Sequence, residues 1–198
     1  MNNAYSDGTN WTVAPRRFLN ALLELIPTRL AKLSAVGLRC EPGVLVKTPL
    51  RLKLGKNVVL QRRSILHCGG RKWSEYKGGI DLGNNVVVGP GCILYGAGTI
   101  RVGDYSHFGP GSMIMTQSGN ANSDTRLSAT PGHTVEPVVL GSGVWVGAGA
   151  VILGGTTLGD NCIIGPNSVV HGNYPSGTSL IGNPARAVLR RSEEKASQ

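Results

Sequence analysis

Residues 137–170 read PVVLGSGVWVGAGAVILGGTTLGDNCIIGPNSVV. Within them Leu140, Val146, Ile152, Leu158, Ile164 and Val170 stand six apart, and glycine follows directly at Gly141, Gly147, Gly159 and Gly165. A period of six suits neither a 3.6-residue helix nor a plainly alternating strand. It suits a short strand followed by a corner. The aliphatic side chain then points inward, and the glycine beside it permits backbone torsions that other residues resist. Three such steps close one coil, so residues 18 apart stack at about 4.8 Å, the spacing of strands in a sheet.

Working outward, the same period appears at Leu54, Leu60 and Leu66, at Leu82, Val88 and Leu94, and at Val102, Phe108 and Ile114. It resumes at Thr134 and runs on into the stretch above. Sandwich strands are not spaced so evenly over so many steps. The expected fold is therefore all-β, a left-handed parallel β-helix over residues 41–182. Breaks in a solenoid's period mark surface loops. HCGGRKWSEYKGG (67–79) and the segment 116–133 are both too long for a corner, and YGAG adds two residues between Leu94 and Val102. Residues 1–40 are expected to form a polar arm and an amphipathic helix. Phe18, Leu19, Leu22 and Ile26 make its apolar side, and Arg16, Arg17, Arg29 and Lys32 its basic one. Such a helix caps the open end of the solenoid or lies on a membrane surface. Residues 183–198 are expected to form a charged tail with a short helix at its start.

The formal charge is +9. A nucleic-acid partner needs a groove or stacking aromatics beside the charge, and the sequence offers neither. An anionic cofactor, an acidic glycan or a membrane surface accounts for the charge equally well. Cys40, Cys68, Cys92 and Cys162 are widely spread, without a C-x-x-C pair, as expected for small buried hydrophobes in a reducing compartment. No secretory signal is visible and no apolar run is long enough to cross a bilayer. A cytoplasmic protein is expected, with the inner face of the membrane as its alternative place.

The run 137–170, followed by PSGTSLIGNPARAV (175–188), resembles the hexapeptide acyltransferases of the maltose/galactoside and polysaccharide O-acetyltransferase type. The match is close over 137–188 and rests on repeat pattern alone over 54–114. VWVG and GNPAR together are its specific marks. The resemblance implies a homotrimer with acetyl-CoA in a groove between neighbouring β-helices, and no metal. Carried across by position, the cofactor contacts are Trp145, Ala148, Pro166, His171, Gly172 and Arg186. Members of this family usually carry a Thr-Lys pair where this chain has His171-Gly172. The function this implies is acetyl-CoA-dependent O-acetylation of a sugar hydroxyl, in the making of an O-antigen, capsule or exopolysaccharide. The alternatives are an amino-sugar N-acetyltransferase and a hexapeptide trimer with impaired chemistry. A zinc site of the γ-carbonic-anhydrase kind would need three converging histidines, and the four here lack the paired spacing.

Acyl transfer to a hydroxyl needs a general base, because the hydroxyl proton must leave as the new bond forms. Histidine titrates near working pH. In the resembling enzymes that histidine follows an Ile-x-(Thr/Ser) segment at the start of the projecting loop. Here the stretch is IMTQSGNA (114–121), and Gly119, Asn120 and Ala121 hold the expected place. His133 is the first replacement, since register makes Thr134 the next inward position after Ile114 and returns His133 to the same corner. His107 is the second. His67 and His171 are weaker as bases, and Asp124 or Glu136 would orient an imidazole.

Overall fold

The computed structural model describes residues 36–69, 78–119 and 133–188. Three parallel sheets form the faces of a prism, and the chain visits them in turn. The first face runs from Arg39–Cys40 through Val59–Leu60, Val87–Val88, His107–Phe108, Trp145–Val146 and Ile163–Ile164 to Ser179–Gly182. The second stacks Leu45–Lys47, Ile65–His67, Ile93–Tyr95, Met113–Met115, Val151–Leu153 and Val169–Val170. The third stacks Leu52–Leu54, Ile80–Leu82, Ile100–Val102, Val138–Leu140, Thr157–Leu158 and Asn173–Tyr174.

The inward columns are those of the six-residue period. On the first face Leu60, Val88, Phe108, Val146 and Ile164 pair in register. On the second, Val46, Leu66, Leu94, Ile114, Ile152 and Val170 do the same. All are buried, each such side chain contributing about 1.5–3 kcal/mol relative to exposure. The cysteines extend this interior. Cys68, Cys92 and Cys162 are buried thiols and Cys40 is half-buried. Burial, and then the charge of Asp81, push the Cys68 thiol up to about 12.

Several expectations are corrected. The glycines after each aliphatic residue do not carry the unusual torsions. The left-handed residues stand two places later, at Asn57, Asn85, Gly143 and Asn161 among others. What the earlier glycines provide is room. A Cβ on Gly103 would lie 2.5 Å from the carbonyl carbon of Gly141 in the next coil, and one on Gly147 2.6 Å from the nitrogen of Pro166. Coils at sheet spacing leave no space there for a side chain. The solenoid also begins one coil before the first counted repeat. Cys40 pairs with Leu60 and Val46 with Leu66, so the first strand precedes the expected boundary at residue 41.

Thr134 is exposed rather than inward. It belongs to a two-stranded antiparallel ribbon of Gln117–Gly119 and His133–Val135, whose strands pair with each other instead of with the coils. The expected C-terminal helix is a strand at its start. Ala185–Val188 folds back antiparallel on Ser179–Gly182, Ser179 opposite Val188 and Gly182 opposite Ala185. The hairpin meets backbone groups that an unpaired edge would expose. The helix expected over 16–36 lies outside the described residues up to residue 35, as do 70–77 and 120–132 within the two expected loops and 189–198 of the tail.

Candidate active site

The corner between the second and third faces gathers the chain's irregularities. Outward side chains stack along it in register: Lys47, His67, Tyr95, Met115 and Leu153. The His67 and Tyr95 rings lie face to face, centroids 4.5 Å apart and planes 14° from parallel. Burial, and then the neighbouring charge of Lys47, hold the His67 imidazole below its ordinary pKa. The segment after His67 and the ribbon after Met115 both leave from this edge, one coil on either side of Tyr95.

Thr116 anchors the ribbon. Its buried Oγ1 donates to the Tyr95 carbonyl at 2.6 Å and accepts from the Gly98 N–H at 2.9 Å. Its own carbonyl accepts from the Glu136 N–H at 2.8 Å, so the ribbon leaves and re-enters at one point. The wide turn through YGAG lies directly beneath. A Cβ on Gly98 would fall 2.7 Å from the Glu136 carbonyl oxygen, so a glycine is needed for Glu136 to sit there.

A cavity of about 330 Å³ opens at this root, bounded by Thr116 and Gln117 on the ribbon side, by Leu153 and Gly154, and by Glu136 and His171. Its size falls within the range of small-molecule sites. Gly154 lines it, and Gly155 follows directly in the chain. A methyl group on Gly155 would lie 3.2 Å from Glu136 Oε2 and 3.6 Å from His171 Nε2, so a carboxylate and an imidazole reach over the same glycine. His171 is held from below, because the Tyr174 hydroxyl donates to its carbonyl at 3.1 Å. Gln117 Oε1, at the cavity edge, is buried without a hydrogen-bond partner.

The residues singled out from sequence fall in different places. His133 stands directly across the ribbon from Gly119, the first of the three residues at the expected histidine's place; Asn120 and Ala121 lie outside the described residues, as does Asp124. His107 is on the first face, stacked on Trp145 at 5.5 Å and 12°, away from the cavity. Trp145 is 56% exposed. Ala148 and Pro166 project from the corner between the first and second faces. Arg186 pairs opposite Ile181 on the hairpin that closes the first face, and its Nη1 donates to the Ala185 carbonyl at 3.1 Å. His171 and Gly172 stand at the far edge of the second face. One protomer therefore does not bring the six expected cofactor residues into one groove. Among the described residues no three His, Cys, Asp or Glu side chains meet as a metal site.

Residues 137–172 match the bacterial transferase hexapeptide model (six repeats), and 70–95 the hexapeptide repeat of succinyl-transferase. The putative colanic acid biosynthesis acetyltransferase WcaF of Escherichia coli is 29% identical over 142 residues, covering 71% of this chain and 70% of that protein. The chain is a hexapeptide-repeat acyltransferase. Nodulation protein L of Rhizobium meliloti is 31% identical over 124 residues, 63% of each chain. The acyltransferase also shares its fold with AntD, an N-acyltransferase from Bacillus cereus solved with dTDP and coenzyme A. The TM-score is 0.67 at 16% identity, over 86% of this chain and 92% of that one. The cavity at the ribbon root is missed by reading residues singly, because Glu136 and His171 are brought together only by stacked coils.

Proposed function

We propose that this acyltransferase moves an acetyl group from acetyl-CoA to a sugar hydroxyl during assembly of a surface polysaccharide. The observation that carries the proposal is the cavity at the ribbon root, where ionisable side chains converge in a chain whose relatives are named for colanic acid and lipopolysaccharide acetylation. The base is an imidazole at this corner. His133 is the candidate that comes back with the ribbon, opposite Gly119. His107, stacked on Trp145, is better suited to flank the pantetheine arm.

The split of the cofactor residues supports a homotrimer, wound left-handed like other hexapeptide solenoids. One copy would present Trp145, Ala148, Pro166 and Arg186. Its neighbour would present His171 and Gly172 across the groove. Arg186 is suited to a coenzyme phosphate by a charge-assisted contact. The buried thiols of Cys68, Cys92 and Cys162 suit a reducing compartment, and we place the reaction in the cytoplasm or at the inner face of the membrane. No helix among the described residues is long and apolar enough to cross a membrane.

The test mixes the protein with acetyl-CoA and a set of methyl glycosides alongside their amino-sugar counterparts, following free thiol and product mass. Ester formation on a hydroxyl is expected. Amide formation alone would reassign the acceptor to an amine, and absence of both binding and thiol release would overturn the reading. In the same assay His133→Ala separates the reaction from the residue: if it keeps full activity, only that assignment falls.

A further inference from the structure

The first end of the prism carries a charge that the rest of it lacks. Residues 36–67 hold seven lysines and arginines and one carboxylate, Glu41, whereas the other described residues hold two arginines and four carboxylates. Arg39 lies on the first face, Lys47 on the second and Lys53 on the third, with Lys56, Arg62 and Arg63 at corners, and all six are exposed. Lys53 meets Asp81 at 3.9 Å and Arg62 meets Glu41 at 3.6 Å, but exposed pairs such as these neutralise little. We infer that this end of the solenoid docks on an anionic phospholipid surface and sets Leu50 into it. The inference gives a means to the membrane-face placement above, and it rests on the acetyl-transfer reading only for what the docking serves.

Leu50 decides between a lipid surface and a soluble polyanion. It is 94% exposed, on the turn Pro49–Arg51 that follows Lys47 at the end of its strand. Backbone and side chain both hold that turn. Thr48 sits at φ +57° and ψ +57°, a region where β-branched residues are outliers, and Arg51 Nη1 donates to the Gly78 carbonyl at 2.8 Å. A leucine fixed in water among cations gains nothing from a chain of phosphates. At a bilayer it enters the acyl boundary while the cations meet the headgroups. Residues 36–67 contain no Phe, Trp or Tyr, so the stacking contacts of a nucleic-acid surface are missing. The sequence leading into this coil repeats the combination, with Arg16, Arg17, Arg29 and Lys32 beside Phe18, Leu19, Leu22 and Ile26. Leu50 and the cavity also share one corner of the prism. Lys47, His67, Tyr95 and Met115 mark three coil steps along it, about 14 Å at sheet spacing. A lipid-carried glycan that extends this far from the surface meets the cavity.

The experiment measures co-sedimentation of the full chain, without coenzyme, with vesicles of phosphatidylcholine alone and of phosphatidylcholine mixed with phosphatidylglycerol. Wild type should bind the mixed vesicles, leave them at raised salt and ignore the neutral ones. The combined variant Arg39→Gln, Lys53→Gln, Lys56→Gln should bind about 100-fold more weakly, at about fivefold per charge. Leu50→Ser should weaken binding about tenfold, and Leu50→Trp should restore it, with a blue shift of its fluorescence on the vesicles. Thiol release with a soluble methyl glycoside should stay near wild type in all of them, because none of these residues borders the cavity. The inference falls if wild type ignores anionic vesicles, or if the charge variant or Leu50→Ser binds them as wild type does. Heparin bound as tightly as vesicles, with no effect of Leu50→Ser on either, would make the patch a polyanion site and overturn it too. A change of oligomeric state in Leu50→Ser, with vesicle binding kept, would give Leu50 to a second copy of the chain and overturn it likewise. Wild type that binds vesicles but never cleaves acetyl-CoA would instead sink the acetyl-transfer reading and leave the docking standing.

Discussion

Two corners of the prism use the same six-residue grammar to opposite ends. Between the first and second faces the corner repeats almost unchanged at 89–91, 109–111, 147–149 and 165–167, with Pro90, Pro110, Ala148 and Pro166 in line. Nothing interrupts it, and what it offers is a ridge of small residues and backbone. Between the second and third faces the corner is broken by the segment after His67, by the wide turn at YGAG and by the ribbon. There the side chains converge: His67 on Tyr95, and Glu136 with His171. Regular coils build a wall that a ligand can lie against. Interruptions are where polar groups from different coils can face one another, since they alone free side chains from the repeat.

The comparison breaks most easily through the shared core. Ile152→Ala, in the fully buried second-face column, should cost about 2–5 kcal/mol, measured by denaturant unfolding. If it costs little, the columns are not what both corners hang from. Next, Gly147→Ala at the smooth corner sets a Cβ 2.6 Å from the Pro166 nitrogen of the next coil and should cost about 1–3 kcal/mol by overpacking, raising the KM for acetyl-CoA while kcat on the folded fraction stays near wild type. Gly155→Ala at the broken corner should do the reverse. Its positive φ costs about 1 kcal/mol, but activity should fall at least tenfold as the methyl group crowds Glu136 and His171, a ratio that thiol release on the folded fraction would read. Equal effects at the two glycines would erase the contrast.

The smallest effect concerns pH. His67 is held below its ordinary pKa by burial and by Lys47, so the unfolded chain binds a proton more readily than the folded one. Stability should therefore be fully present above the unfolded value near 6.5 and decline as pH falls below it. His67→Gln should flatten that decline in thermal melts between pH 7 and pH 5. A slope unchanged by the substitution would assign the acid sensitivity elsewhere.

Much of the architecture was legible because it is local and repeated. The inward columns could be counted from Leu54 to Val170, and the breaks after His67 and Met115 could be located to within a few residues. Even the overlooked first coil left a trace, with Cys40, Val46 and Leu52 six apart around a Pro42-Gly43 corner. Thr134 and the glycines were misread for one reason. Counting assigns each residue to a coil, whereas the ribbon strands chose each other as partners, and the glycines answer to the backbone of the neighbouring coil.

By itself the sequence determined the three-faced β-helix, its period and the corner that would be interrupted, because strand, corner and inward side chain all lie within one six-residue step. Only the tertiary structure decided which groups meet at that corner. Glu136 and His171 border one cavity because the coils stack and because Thr116 lets the ribbon re-enter there, an arrangement set by hydrogen bonds between distant segments that no local period encodes.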